Sequence, residues 1–213
     1  MKKPACARPR EECLPSGTTW VRDTAVAFHP DRNAVQTSTG ELAYKSLVVC
    51  PGIKLNFDKI KGLTETLGKN NVTSNYSWDT VHHTKETLQR VTEGHHVFTA
   101  PAQAVKCGGA PLKACFLSED FNAKRGTRKD QTFSFYTGLP ACFAVPYYKD
   151  KIRAIMKDRD IVEHDHANLI EVRGENREAV FQHKDGSKEV VKFDFLHVVP
   201  PMGPHEFMKD SPI

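Results

Sequence analysis

Apolar and β-branched residues gather in three runs near the start of the chain, at 20–28, 34–37 and 41–49, separated by the turn-forming sequences His29-Pro30-Asp31-Arg32-Asn33 and Ser38-Thr39-Gly40. This pattern predicts three strands in a small antiparallel meander. The third run closes with Leu47-Val48-Val49-Cys50-Pro51-Gly52, an apolar stretch halted by breakers. It predicts a buried strand that stops at a site, with Cys50 buried or facing a pocket. Over 78–91, Val81, Leu88 and Val91 stand apolar among polar neighbours, which predicts a connecting helix capped near Ser77.

From His95 onward strands and helices alternate. His96-Val97-Phe98-Thr99 reads as a buried strand, and Pro111 suits a first helical position. Leu112, Cys115, Phe116 and Glu119 follow at helical spacing. A second strand is expected over 132–136, then a helix whose apolar face is Ile152, Ile155 and Met156. Asp185-Gly186 joins 179–181 to 190–193 as a hairpin, and Leu196-His197-Val198-Val199 is a last strand stopped by Pro200-Pro201. The order implies an α/β class: a Rossmann-like, mainly parallel sheet over about 95–200 with a β-meander before its last strand, preceded by a small antiparallel sheet over 18–53. In it, 96–99 and 132–136 should be parallel neighbours.

Composition mostly excludes. The 213 residues carry 30 basic and 26 acidic side chains, and a net charge of +4 is too mild to argue for nucleic acid. The densest basic run, Lys124-Arg125-Gly126-Thr127-Arg128-Lys129, lacks interleaved aromatics and reads as a solvated loop. No apolar stretch approaches the roughly 18 residues that span a bilayer, so any membrane contact is expected to be peripheral. Six irregularly spaced cysteines without Cys-x-x-Cys argue against a zinc ribbon or a disulfide scaffold. No apolar signal region opens the chain, so reduced thiols are expected; residues 1–10 are basic and acid-free but too short and too proline-rich to read as an organellar presequence. His164-Asp165-His166 has no third ligand at a suitable spacing, and the adjacent pairs His82-His83 and His95-His96 diverge, so no metal site is expected.

The chemistry concentrates in Lys106-Cys107-Gly108-Gly109-Ala110-Pro111. In a Rossmann-type half, the turn after the first strand faces the ligand crevice. A thiol just before a helix N-terminus meets unpaired N–H groups, the positive dipole end and the Lys106 ammonium, all of which favour thiolate. Gly108 and Gly109 leave room for a reactant. A small buried turn cysteine is the competing reading. Residues 100–109 carry no Gly-x-Gly-x-x-Gly, which points the crevice toward redox or persulfide chemistry and away from pyridine nucleotide. Cys115 should point away from the crevice mouth, down the same helix. Cys142 is the internal candidate partner for Cys107, against a packed loop cysteine.

These residues, with Leu14-Pro15-Ser16-Gly17-Thr18-Thr19-Trp20, Asp58-Lys59-Ile60-Lys61-Gly62-Leu63, Ser74-Asn75-Tyr76-Ser77, Asn168-Leu169-Ile170-Glu171-Val172 and His197-Val198-Val199-Pro200-Pro201-Met202, resemble the middle section of a eukaryotic, mitochondrial-type sulfide:quinone oxidoreductase. The resemblance runs over nearly the whole chain. It implies two Rossmann-like domains with FAD in the first, electrons passing from hydrogen sulfide to ubiquinone, and a small sulfane-sulfur acceptor. Cys107 would be one of two redox cysteines, the one that carries a persulfide beside the flavin. Residues 1–57 would be part of the FAD-binding domain, 58–94 a connector, and 95–213 the second domain, incomplete at its C-terminus. Ala25 and Val26 fall where a flavin-domain strand offers backbone to adenine, although ordinary strand packing also accounts for them. Gly52 falls in the segment where such reductases have Ala-Thr-Gly at the flavin. A mitochondrial, inner-membrane-associated location is implied, with peripheral contact through parts outside this chain. The pyrophosphate glycine motif, a Gly-Asp-Cys-like segment and the second catalytic cysteine are not found. The alternative is therefore a non-catalytic fragment, or a thiol-binding module unable to hold FAD, with Trp20, Val48 and Ile53 poorly covered.

Overall fold

A computed structural model describes residues 7–103 and 105–213. Cys6 and most of the basic opening lie outside the described residues. The chain divides into two compact units, residues 1–52 with 204–213, and residues 53–203.

In the first unit β1 (Ala25–His29), β2 (Ala34–Thr37) and β3 (Glu41–Ala43) form an antiparallel sheet in that order, with a register shift between Ala25 and Ala27. Asn33 takes the left-handed conformation that the first turn needs (φ +51°). The Asp23 carboxylate accepts from the Ser38 and Thr39 hydroxyls and the Thr39 N–H, which clasps the second turn and holds the acid below its usual range.

The expected third strand is cut short. Beyond Ala43 the chain is irregular, Val48 is 85% exposed and Cys50 is exposed rather than buried. An apolar run with no strand to pair it cannot satisfy its backbone inside a core, so periodicity overstated its burial. Trp20 and Ile53 are exposed as well.

The second unit runs β4 (Lys54–Leu55), α1 (Leu63–Thr66), β5 (Val72–Thr73), α2 (Val81–Arg90), β6 (Gly94–Ala100), α3 (Ala110–Lys124), β7 (Gln131–Thr137), α4 (Pro146–Asp158), β8 (Ile161–His164), β9 (Ala167–Arg173), β10 (Glu178–His183), β11 (Lys188–Lys192), β12 (Phe195–His197) and β13 (Met202–Gly203). A short α5 (Glu206–Lys209) belongs to the first unit. The main sheet is parallel with order β5-β12-β6-β7-β8. His96 registers with Phe133 and Phe98 with Phe135, as the strand–helix alternation predicts. β9, β10 and β11 form the antiparallel meander, turned at Gly186 (φ +87°).

Alternation along β6 sorts the two faces. Val97 joins Tyr136 and Leu196 against Leu169, Phe181 and Val191 of the meander. Phe98 joins Phe133, Phe135 and Phe195 against Leu112 and Cys115 of α3 and Met156 of α4. Helices therefore cover one face and the meander the other.

Three local expectations change. α2 begins at Val81, later than the apolar spacing suggested, although the Ser77 hydroxyl still accepts the Thr80 N–H (3.3 Å). Ile155 is exposed while Met156 is buried, so the α4 face is narrower than its sequence implies. The basic run is not wholly a solvated loop. The Arg125 guanidinium donates to the carbonyls of Leu88, Gln89 and Val91 at the end of α2. Arg128 donates to Gln131, Arg159 and Asp160, and both Arg128 and Arg159 face the buried Glu119 carboxylate. Arg125 thus satisfies carbonyls at the end of α2, and Arg128 those just after α4.

Candidate functional site

The loop from β6 to α3 is pinned along its length. Gly138 N–H donates to the Ala100 carbonyl (3.0 Å), Ala102 N–H to Asn168 Oδ1 (3.0 Å) and Lys106 N–H to Met202 Sδ (3.2 Å). At Gly138 a Cβ would stand 2.6 Å from the Ala102 nitrogen, so only glycine lets the loop root lie this close. At the other end Ala110 N–H donates to the Cys107 carbonyl (2.7 Å), and α3 starts there.

Cys107 is exposed with φ +98°, a conformation that a side-chain-bearing residue rarely adopts. Its thiol opens onto a cleft of about 580 Å³ walled by Asn75, Tyr76, Lys106, Lys113, Leu117 and His197. The buried-turn reading of Cys107 is thereby set aside. The Lys106 ammonium lies 6.0 Å over the Tyr76 ring, so it shares the cleft with the thiol while resting on the aromatic face. Among the described residues no carboxylate lines the cleft.

The other thiols differ. Cys115 is buried in α3, where burial and Glu119 push its thiol well above the ordinary range. Cys142 is buried with its N–H on Glu163 Oε1 (2.7 Å), and burial with that carboxylate raises its thiol to about 11. It packs in the helix-side core and does not line the cleft, so the structure does not bring it to Cys107. Every described cysteine is free.

His197 lies at the floor, 1% exposed, and its Nε2 accepts the Asn75 N–H (3.1 Å). That bond leaves the proton of the neutral ring on Nδ1, which has no partner. Burial lowers His197 to about 4, so it is a neutral donor and not a base near neutrality. Tyr76 and Lys113 were not singled out individually from sequence. Tyr76 sits in a short motif between β5 and α2, and only the fold brings it beside Cys107; Lys113 faces the cleft one turn into α3.

Ala25, Val26 and Gly52 belong to the first unit. β1 is an edge strand, which leaves one side of its backbone open, and Val26 is exposed. Gly52 has φ +78° with nothing within 4 Å of a notional Cβ. An edge strand and an uncrowded glycine leave backbone accessible at these positions, as contact with a flavin nucleotide would require. The chain has no glycine motif to cradle its pyrophosphate. Among the described residues no three His, Cys, Asp or Glu side chains gather as a metal site, and no helix is long and apolar enough to cross a membrane.

No family model matches the chain. By sequence it is a relative of the mitochondrial sulfide:quinone oxidoreductases. It is 41% identical to that of Dictyostelium discoideum over 208 residues, 97% of this chain and 46% of the relative. The chain thus spans about half the length of the curated relatives it matches. Among solved structures, the sulfide:quinone oxidoreductase of Aquifex aeolicus superposes on 89% of this chain and 44% of its own with TM-score 0.73 at 20% identity. A chain in the Tetrahymena thermophila mitochondrial ATP synthase covers 99% of this chain and 55% of its own with TM-score 0.78 at 19% identity. At those identities the likeness is one of fold.

Proposed function

We propose that this chain, 41% identical to a mitochondrial sulfide:quinone oxidoreductase, is the middle section of such an enzyme and carries sulfide sulfur on Cys107. The observation that supports this most is the position of Cys107. It is exposed on the crevice loop at the head of α3, in a cleft with two lysines and, among the described residues, no carboxylate. The lysines draw in hydrosulfide and balance its charge, and the thiol supplies a soft atom able to hold sulfane sulfur. Hydrosulfide and the Cys107 thiol become an anionic persulfide with loss of two electrons and two protons. FAD bound to the whole enzyme would take up that electron pair and pass it to ubiquinone. Ala25, Val26 and Gly52 would offer backbone to the flavin nucleotide, and the outer sulfur would leave Cys107 for a small acceptor.

In this reading 1–57 is part of the flavin domain, 58–94 the connector and 95–213 the second domain. The whole enzyme works in mitochondria, peripherally at the inner membrane. A second reading is a persulfide-carrying module that does not hold flavin. A yellow visible spectrum of the purified chain, from bound flavin, would overturn the second reading. For both, exposure to sulfane sulfur should add one sulfur atom to Cys107, and Cys107→Ser should abolish that addition. Sulfur uptake elsewhere, with Cys107 untouched, would overturn the assignment.

A further inference from the structure

Tyr76 lines the Cys107 cleft, and its hydroxyl is buried with no hydrogen-bond partner among the described residues, the Cys107 sulfur included. Buried hydroxyls are rarely left so, because desolvation is uncompensated. A second orphan stands near it. His197, a cleft residue joined through Nε2 to the residue before Tyr76, holds a buried, unpartnered Nδ1–H. Both groups are donors, both lack acceptors, and among the described residues the only charged side chains on the cleft wall are Lys106 and Lys113. Such a lining suits negative charge that is not there when Cys107 is a simple thiol. Burial and the charge of Cys107 both raise the Tyr76 phenol above its usual range, which keeps it protonated and able to donate.

Resting on the persulfide reading of Cys107, we propose that the Tyr76 hydroxyl is the donor that holds the outer sulfur of the Cys107 persulfide. A second sulfur extends the side chain by about 2 Å beyond Sγ, and an anionic outer sulfur supplies the acceptor that Tyr76 lacks. Tyr76 therefore favours the persulfide over the thiol without favouring the fold, since an unpartnered hydroxyl adds nothing to folding.

The test uses the 213-residue chain with inorganic polysulfide. The Cys107 thiolate attacks a sulfane sulfur; one S–S bond breaks in the reagent, one forms at Cys107, and the shortened polysulfide dianion leaves with the electron pair. No outside oxidant is needed. The persulfide-to-thiol ratio at Cys107 is read by alkylation and mass spectrometry, beside thermal unfolding. Tyr76→Phe should lower that ratio about tenfold while its melting temperature stays level or rises. An unchanged ratio, or a loss that accompanies a fall in melting temperature, would overturn the proposal. A wild-type Cys107 that takes up no sulfur would instead overturn the reading beneath it.

Discussion

His96 is fully buried between Phe133 (centroids 4.8 Å apart) and Phe195 (5.3 Å), and neither ring nitrogen has a partner. Burial chiefly, with His95, Arg125 and Arg128 adding and Asp194 opposing, lowers it to about 4. In the unfolded chain the same ring titrates near 6.5. A folded value below the unfolded one means the unfolded state binds the extra proton, so stability is intact above 6.5 and drains away as pH falls toward 4. Between pH 7 and pH 5 the unfolded ring goes from mostly neutral to almost fully charged while the folded one stays mostly neutral, a loss of about 2 kcal/mol. His96→Phe keeps the aromatic stack and removes the titration. Urea unfolding followed by circular dichroism at each pH should show the variant losing about 2 kcal/mol less than wild type over that interval. The slope is the criterion, since the larger phenyl ring shifts absolute stability on its own account. Parallel stability–pH curves would refute the reasoning.

Arg128→Ala strips three carbonyls of their donor and leaves Glu119 with Arg159 alone, so unfolding free energy should fall by about 3 kcal/mol; Arg128→Lys, which cannot fork, should recover less than half. Gly138→Ala drives a methyl against the Ala102 backbone, for which a cost of about 2 kcal/mol and faster hydrogen exchange across 101–109 are expected, and unchanged exchange would contradict the pinned loop. With iodoacetamide at about pH 8, the exposed Cys13, Cys50 and Cys107 should label at least ~100-fold faster than buried Cys115 and Cys142, and comparable rates would disprove their burial.

The second unit was legible because each of its local signals agrees with the others. Glycine at 186 marks a hairpin that does turn there, and the alternation of His96, Val97 and Phe98 matches a strand covered on both faces. Cys107 was visible for the same reason, as glycines, a lysine and a helix-starting proline converge on one thiol. What stayed hidden depends on distant partners. Leu47 to Cys50 looked buried because an apolar run carries no sign of whether another strand will reach it. Arg125 and Arg128 looked solvated because the carbonyls they hold lie on α2, α4 and the approaches to β7 and β8, 3 to 37 residues away. Tyr76 and His197 come to the Cys107 cleft from segments before β6 and after β11, which local spacing does not relate to the thiol.

The order β5-β12-β6-β7-β8 sets the last strand of the sheet between two that precede it, with Phe195 opposite His96. A nascent chain elongating at roughly 5–20 residues per second therefore makes β6 several seconds before its inner neighbour exists. During that interval His96 has a single aromatic face to lie against, and the gap between β5 and β6 is open to any strand that happens by. The Cys107 cleft, floored by His197, is completed only when β12 clears the ribosome. Chaperone capture or mispairing in the cell should thus concentrate on nascent chains that have passed β6 but not yet reached Phe195, and release should follow the arrival of Phe195-Leu196-His197.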